Sequence, residues 1–184
     1  MKRNLLAAKY SFYIMLLCSA VFVLNIFLPF NLNQWGIVPR STGHLAGIVF
    51  APFLHGSWQH LLSNFFPFVV FGGLIGLHNV KRFWLLFIVH IISTGLLVWL
   101  FARSNSVHIG ISGVIYVFWG YLIVYGLVRR KFMHILISLV TLFFYGGLVF
   151  GVLPTTPGVS FESHLLGALA GALSGYYFAK SEAR

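Results

Sequence analysis

The chain has 184 residues, of which 59% are hydrophobic and 8% charged, and its mean hydropathy is +0.93. Soluble domains carry roughly 25% charged residues, so this composition excludes an ordinary soluble protein and predicts one embedded in a lipid bilayer. The formal net charge of +10 does not indicate a nucleic acid partner, because polytopic membrane proteins collect Lys and Arg in their cytoplasmic loops.

Six apolar segments, each about long enough to cross a bilayer, follow one another along the chain. They are residues 10–30, 60–78, 83–101, 112–128, 132–150 and 163–179. With their connections they consume nearly the whole length, so we predict an all-α membrane protein with a single domain over residues 1–184 and six transmembrane helices. Glycines spaced four apart, at Gly72 and Gly76 and again at Gly167 and Gly171, predict closely packed helix faces.

The basic residues predict the orientation of these helices. Ten of the twelve Lys and Arg would lie on one side of the membrane, namely Lys2, Arg3, Lys9, Lys81, Arg82, Arg129, Arg130, Lys131, Lys180 and Arg184. Only Arg40 and Arg103 would lie on the other side. By the positive-inside rule both termini are cytoplasmic. The irregular connection 151–162, which contains Pro154 and Pro157, is then external.

This orientation places the starts of the second, fourth and sixth helices in one layer near the outer face. The three helices begin close to His60, Ser112 and His164 respectively, so a serine and two histidines could meet there. A serine becomes a nucleophile only with a base and with groups that stabilise the oxyanion. Taken alone, Ser112 is more typical of a small residue that helps helices to pack.

The residues around Ser112 suggest a role for each partner. His164 suits a general base, because the positive end of a helix dipole favours its neutral form. Tyr116, one turn after Ser112, could pack against the imidazole. His60 and Asn64 lie four apart on one helix face, so with the Ser112 amide they could point at an oxyanion. The structural alternative is that these polar groups only form interhelical hydrogen bonds.

The acidic residues limit the possible mechanisms. The chain has two Glu and no Asp, so a carboxylate pair is excluded and a triad could recruit only Glu162, which would have to fold back towards His164. We therefore predict a Ser-His dyad without metal or cofactor. The spacing of His55 and His60 does not match a zinc protease helix, and no third ligand is evident. With eight His, a small channel or a histidine-ligated haem protein stays open as an alternative.

Three segments together resemble the rhomboid family of intramembrane serine proteases. They are H-x-x-x-x-H-x-x-x-N at His55, His60 and Asn64, then GISGVIY at Gly110 to Tyr116, then HLLGALAG at His164 to Gly171. The resemblance covers the second to sixth helices in order. It implies a six-helix bundle with a water-filled outer cavity, in a bacterial inner membrane, that cleaves peptide bonds in or near transmembrane segments of other membrane proteins.

The resemblance also implies roles for individual residues. Ser112 would be the nucleophile and His164 the base, while His60, Asn64 and the Ser112 amide would form the oxyanion hole, supported by Gly110, Tyr116 and His55. Many rhomboids carry Trp-Arg in the first outer loop, where this chain has Ala46 and Gly47. The alternative function is a catalytically inactive rhomboid-like protein that binds transmembrane helices.

Overall fold

The computed structural model describes residues 6–155 and 158–183. They form seven α-helices, α1 (Leu6–Phe27), α2 (Gly47–Phe50), α3 (Trp58–His78), α4 (Val80–Phe101), α5 (Ser112–Arg129), α6 (Phe132–Tyr145) and α7 (Phe161–Ser181). Short 3₁₀ turns precede and follow α2, and a longer one, Gly146–Val152, follows α6. Four residues used in the sequence prediction, Lys2, Arg3, Pro157 and Arg184, lie outside the described residues.

The all-α prediction is confirmed. Five stretches are long and apolar enough to cross a membrane, namely α1, α3, α4, α5 and residues Phe132–Val152. The helix α7 has a similar length, but Glu162, His164 and Lys180, together with several Gly and Ser, reduce its apolar character. A sixth span over residues 163–179 therefore stays a prediction.

Two predicted helices differ from the observed ones. The first, expected over 10–30, is helical over Leu6–Phe27 within the described residues. It ends before residue 28, because the residue before Pro29 is disfavoured in helical conformation. The fifth was expected to be one helix over about 132–150. An apolar stretch of this extent, Phe132–Val152, is present, but its residues 146–150 are not α-helical. The α-helix ends at Tyr145 and the chain continues as 3₁₀ turns, because glycines at 146, 147 and 151 weaken the α-helix.

The long helices run alternately up and down, so their ends form two distinct layers. In one layer Arg82, at the start of α4, forms an ion pair of 2.6 Å with Glu182 just after α7, and Arg129 at the end of α5 lies 3.9 Å from the same carboxylate. The opposite layer contains the starts of α3, α5 and α7. The polar residues predicted to meet therefore begin helices at the same end of the bundle.

The helix α5 lies at the centre of the bundle and is the most buried of the long helices. Its Phe118 stacks on Phe68 of α3, with ring centroids 5.6 Å apart, and also contacts Phe83 of α4. Many large apolar side chains on α1 and α6 are exposed instead. Such an outer surface suits contact with lipid rather than water.

A seam of glycines joins α7 to α5. A methyl group added at Gly167, Gly171 or Gly175 would clash with the backbone of α5, because the carbonyl oxygens of Gly113, Val117 and Tyr121 lie directly opposite. The three carbonyls are themselves four residues apart, so the two backbones stay in contact over two turns. The seam begins beside Ser112 and His164, and it therefore fixes the distance between the starts of the two helices.

The mutation Gly171→Ala is expected to destabilise the protein by about 1–3 kcal/mol or to prevent folding, because the new methyl group has no space between the helices. Thermal unfolding of the purified protein in detergent measures the loss. The matched control is Gly147→Ala, where an added Cβ meets nothing within 4 Å. Equal unfolding temperatures for the two variants would contradict the role of the seam.

Candidate active site

The seam brings Ser112 and His164 together. Ser112 is the first residue of α5, and His164 lies in the first turn of α7. The Ser112 Oγ and the His164 Nε2 are 2.8 Å apart, which is a hydrogen bond. Both residues are largely buried, with 7% and 9% of their surfaces exposed. The predicted meeting of serine and histidine is thus present in the structure.

The second ring nitrogen of His164 determines which way this hydrogen bond runs. Its Nδ1 lies 2.9 Å from the carbonyl oxygen of Gly151. A carbonyl only accepts, so Nδ1 carries the proton and donates it, and in the neutral ring Nε2 is then an acceptor for the Ser112 hydroxyl. This is the tautomer that a general base requires.

Tyr116 packs against the imidazole, as the sequence predicted. The two rings are stacked with centroids 4.2 Å apart and planes 13° apart. The Tyr116 hydroxyl donates a 2.8 Å hydrogen bond to the carbonyl of Leu148, in the same 3₁₀ segment as Gly151. One segment therefore holds both the imidazole and the aromatic ring that covers it.

Glu162 does not contact His164. Its carboxylate accepts hydrogen bonds from the guanidinium of Arg103, at 3.0 Å, and from the Arg103 backbone amide, at 3.2 Å. The same guanidinium donates to the carbonyl of Val159. Glu162 therefore links the start of α7 to the loop after α4, and the contacts of His164 involve no carboxylate.

Asn64 lies on α3 and is held by His55. The Asn64 Nδ2 lies 3.2 Å from the His55 Nε2, and His55 is almost fully buried. Burial, followed by the neighbouring His60, lowers the pKa of His55 to about 4. His55 is therefore neutral at neutral pH, and its bare Nε2 accepts one N–H of Asn64. The second N–H of the amide stays available to a ligand.

His60 and Gly110 lie next to each other. Gly110 has φ +106°, a conformation that side chains rarely adopt, and an added Cβ would lie 2.6 Å from the His60 Nε2. Glycine at this position therefore allows both the turn into α5 and the approach of the imidazole. The amide of Ser112, at the first position of α5, belongs to the helix N–H groups that lack an intrahelical partner.

These side chains surround one open cleft with a volume of about 640 Å³. Its lining includes Ser112, His164, His60, Asn64 and Tyr116. A cleft of this size admits both water and a length of extended polypeptide. His55 does not line the cleft, and its contact with the site is the hydrogen bond to Asn64. In the described part of the chain no three His, Cys, Asp or Glu residues are grouped as metal ligands.

The sequence prediction missed a polar network that connects the loops around the cleft. The Ser106 hydroxyl donates to the Arg103 carbonyl, so the His108 Nε2 donates to Ser106 and its Nδ1 accepts from Ser160. Burial lowers the pKa of His108 more than Glu162 raises it, which keeps this ring neutral. One signal was available in the sequence: Arg103 and Glu162 are opposite charges in connections that were predicted to be external and that contain few other charges.

The fold and the site define a polytopic helical membrane protein with a hydrogen-bonded serine and histidine at the starts of two paired helices. Residues 42–181 match the family model described as Rhomboid domain. The chain belongs to the rhomboid family, and it is a multi-pass membrane protein.

Mycobacterial proteins are similar to this chain. An uncharacterized protein of Mycobacterium tuberculosis (strain ATCC 25618 / H37Rv) is 40% identical over 161 residues, which is 83% of this chain and 67% of that protein. An uncharacterized protein of Mycobacterium leprae (strain TN) is 37% identical over 161 residues, or 83% of this chain and 63% of that protein. The chain thus spans about two thirds of the length of these relatives.

Proposed function

We propose that this protein is an intramembrane serine endopeptidase that hydrolyses peptide bonds in or near transmembrane segments. The hydrogen bond from Ser112 to the correct tautomer of His164, inside an open cleft, is the observation that carries the proposal. A packing serine needs neither a histidine partner nor a cleft. The contacts of Glu162 with Arg103 favour a dyad over a triad.

In the proposed reaction the Ser112 Oγ attacks the scissile carbonyl while His164 Nε2 takes the hydroxyl proton. The oxyanion accepts hydrogen bonds from the Ser112 amide, from His60 and from the free N–H of Asn64. The imidazolium then gives its proton to the leaving amine. Water enters from the cleft, gives a proton to His164 and attacks the acyl carbonyl. His164 then returns this proton to the Ser112 Oγ as the acyl–oxygen bond breaks, which releases the carboxylic acid product and regenerates the serine.

The substrates we propose are membrane proteins whose helices cross the same bilayer. Backbone amides of such a helix are occupied by internal hydrogen bonds, so the substrate must unwind before Ser112 can attack it. We infer a preference for helix-destabilising residues near the cut. The charge distribution supports cytoplasmic termini and an active site towards the outer side of a bacterial inner membrane, with α7 as the sixth span.

A serine-directed phosphonate probe tests this proposal. We expect a permeant probe to label the wild-type protein in native membranes and to leave Ser112→Ala unlabelled, because Ser112 is the serine whose proposed base, His164, lies in the same cleft as the proposed oxyanion donors His60 and Asn64. An impermeant probe should label intact spheroplasts, since the cleft faces outwards. Labelling is read by in-gel fluorescence against the amount of protein in the membrane.

The matched control is Ser63→Ala, which removes a serine that lines the same cleft and whose hydroxyl bonds back to the His60 carbonyl. It should be labelled like wild type. A folded wild-type protein that takes no label would favour the inactive, helix-binding alternative. Labelling of Ser112→Ala would reject Ser112 as the nucleophile, and labelling only in opened vesicles would reject the orientation.

A further inference from the structure

A second cavity lies in the layer of helix ends opposite to Ser112. Its volume is about 200 Å³, and its lining includes His78, Arg82, Arg129, Lys131, His134 and Glu182. The helix α5 runs from Ser112 to Arg129 with 18 residues, so the cavity is about 26 Å from the serine along the helix. It is therefore separate from the cleft, and the proposed peptidase chemistry does not use it.

The cavity contains more positive than negative charge. Arg82, Arg129 and Lys131 oppose one acidic side chain, Glu182, and the only other acid of the chain is Glu162 at the far end. Burial raises the pKa of Glu182, but hydrogen bonds from Tyr125 and Arg82 outweigh it and hold the pKa below its usual value. Glu182 is therefore ionised at neutral pH. Its one negative charge against the three positive charges leaves the cavity with a net charge of +2.

The partners of each group show where this excess lies. The Arg82 guanidinium donates to Tyr121 at 2.8 Å and to Glu182 at 2.6 Å, and it stacks on the ring of Phe178. Arg82 thus has a direct hydrogen-bonded anionic partner. Arg129 forms a longer ion pair of 3.9 Å with the same carboxylate, too long for a hydrogen bond, so one Glu182 charge faces two guanidinium groups.

Two further polar residues that line the cavity, Lys131 and His134, have no anionic partner in the part of the chain that the structure describes. Lys131 forms no ion pair within the described part of the chain. The Nδ1 of His134 is buried and has no hydrogen-bond partner among the described residues. The stacked rings of His78 and His134, with centroids 4.4 Å apart, form one wall of the cavity. One carboxylate thus faces both Arg82 and Arg129, and Lys131 has no described anionic partner, which accounts for the excess of two positive charges.

We propose that this cavity binds a phosphate group, supplied either by the headgroup of an anionic phospholipid or by free inorganic phosphate. Arg and Lys side chains are the usual ligands of phosphate oxygens, and Arg donates from two nitrogens in a fixed geometry. Basic pockets between the ends of transmembrane helices also lie at the depth of lipid headgroups. A bound phosphate offsets the excess charge and gives the Arg129 and Lys131 donors an acceptor.

The test is thermal unfolding of the intact purified protein in a neutral detergent. The additives are a short-chain phosphatidylglycerol, phosphatidylcholine of the same chain length, and sodium phosphate against sodium chloride at equal ionic strength. We expect a saturable rise in Tm with phosphatidylglycerol, with phosphate or with both, and none with phosphatidylcholine or chloride. A rise with phosphatidylglycerol alone assigns the lipid headgroup, and an equal rise with phosphate assigns the free anion. No saturable rise with either overturns the proposal.

The double variant Arg129→Gln with Lys131→Gln should bind the stabilising anion at least about tenfold more weakly. The matched control, Arg130→Gln with Lys180→Gln, changes the net charge equally at residues that do not line the cavity, and it should keep its affinity within about twofold. Equal losses in both would show diffuse attraction to the basic surface and overturn the site. If the double variant does not fold, Lys131→Gln alone, at an exposed position, gives the same comparison with Arg130→Gln.

Discussion

Replacing His164 with alanine is expected to lower kcat at least about 10⁴-fold, because the Ser112 hydroxyl then has no group to take its proton. The measurement is cleavage of one single-pass substrate reconstituted with the purified enzyme. The fold should survive, since the glycine seam that pairs α5 with α7 lies beyond the imidazole. Thermal unfolding checks this for the same preparation. An active His164→Ala enzyme would reject the assignment of the base.

The matched comparison for this variant is Glu162→Gln, which changes the chain's one acidic side chain near the dyad. In a triad, exchange of the carboxylate for its amide costs about 10⁴-fold in kcat. Here the Nδ1 of His164 bonds to the Gly151 carbonyl, and the Glu162 carboxylate bonds to a partly exposed Arg103. We therefore expect kcat within about threefold of wild type and little loss of stability. A folded Glu162→Gln enzyme that loses thousands-fold activity would contradict the dyad.

Much of the site was predictable from the sequence because two simple patterns place its residues. Apolar runs located the long helices, and the count of basic residues assigned their starts to two layers. Together they put His60, Ser112 and His164 at one end without any knowledge of contacts. The glycine spacing in α7 then indicated that one face of this helix packs closely against another helix. The pattern alone did not identify α5 as that helix.

The remaining features depend on backbone positions that side-chain patterns do not encode. The tautomer of His164 is fixed by the carbonyl of Gly151, and every residue has a carbonyl, so no motif marks this one. Gly151 lies in the 3₁₀ segment Gly146–Val152, which follows α6, and α6 ends sooner than its apolar character predicted. An apolar run indicates that a segment is buried or contacts lipid, but it does not indicate the type of helix. The change from α-helix to 3₁₀ at Gly146 depends on local backbone preference.

The hydrogen bond between His55 and Asn64 also could not be predicted without the fold. The two are nine residues apart, and the loop before α3 folds back so that the buried imidazole accepts from the amide. Sequence spacing indicated that His60 and Asn64 share a helix face, but it assigned no partner to His55. In the structure His55 accepts one N–H of Asn64. In the proposed mechanism the second N–H then remains for the oxyanion.

The predicted oxyanion groups give the second large effect. Both Asn64→Ala and His60→Ala are expected to lower kcat/KM about 10²- to 10³-fold, which is roughly 3 to 4 kcal/mol of transition-state stabilisation. The loss is smaller than for His164→Ala, because Ser112 keeps its base and its own amide N–H. The single-pass substrate assay measures both variants, with thermal unfolding to check the fold.

The control is again Ser63→Ala, one residue before Asn64, which lines the cleft without a donor role in the proposal and should retain wild-type kcat/KM. The two oxyanion variants should also keep phosphonate labelling at a reduced rate, since the dyad is intact, whereas His164→Ala should label far more slowly.

The two oxyanion variants should differ in stability. Asn64→Ala leaves the His55 Nε2 as a buried acceptor without a partner, so we expect it to lower the unfolding temperature more than His60→Ala does. Unchanged cleavage in both variants would remove these residues from the mechanism and leave the Ser112 amide as the sole proposed oxyanion donor.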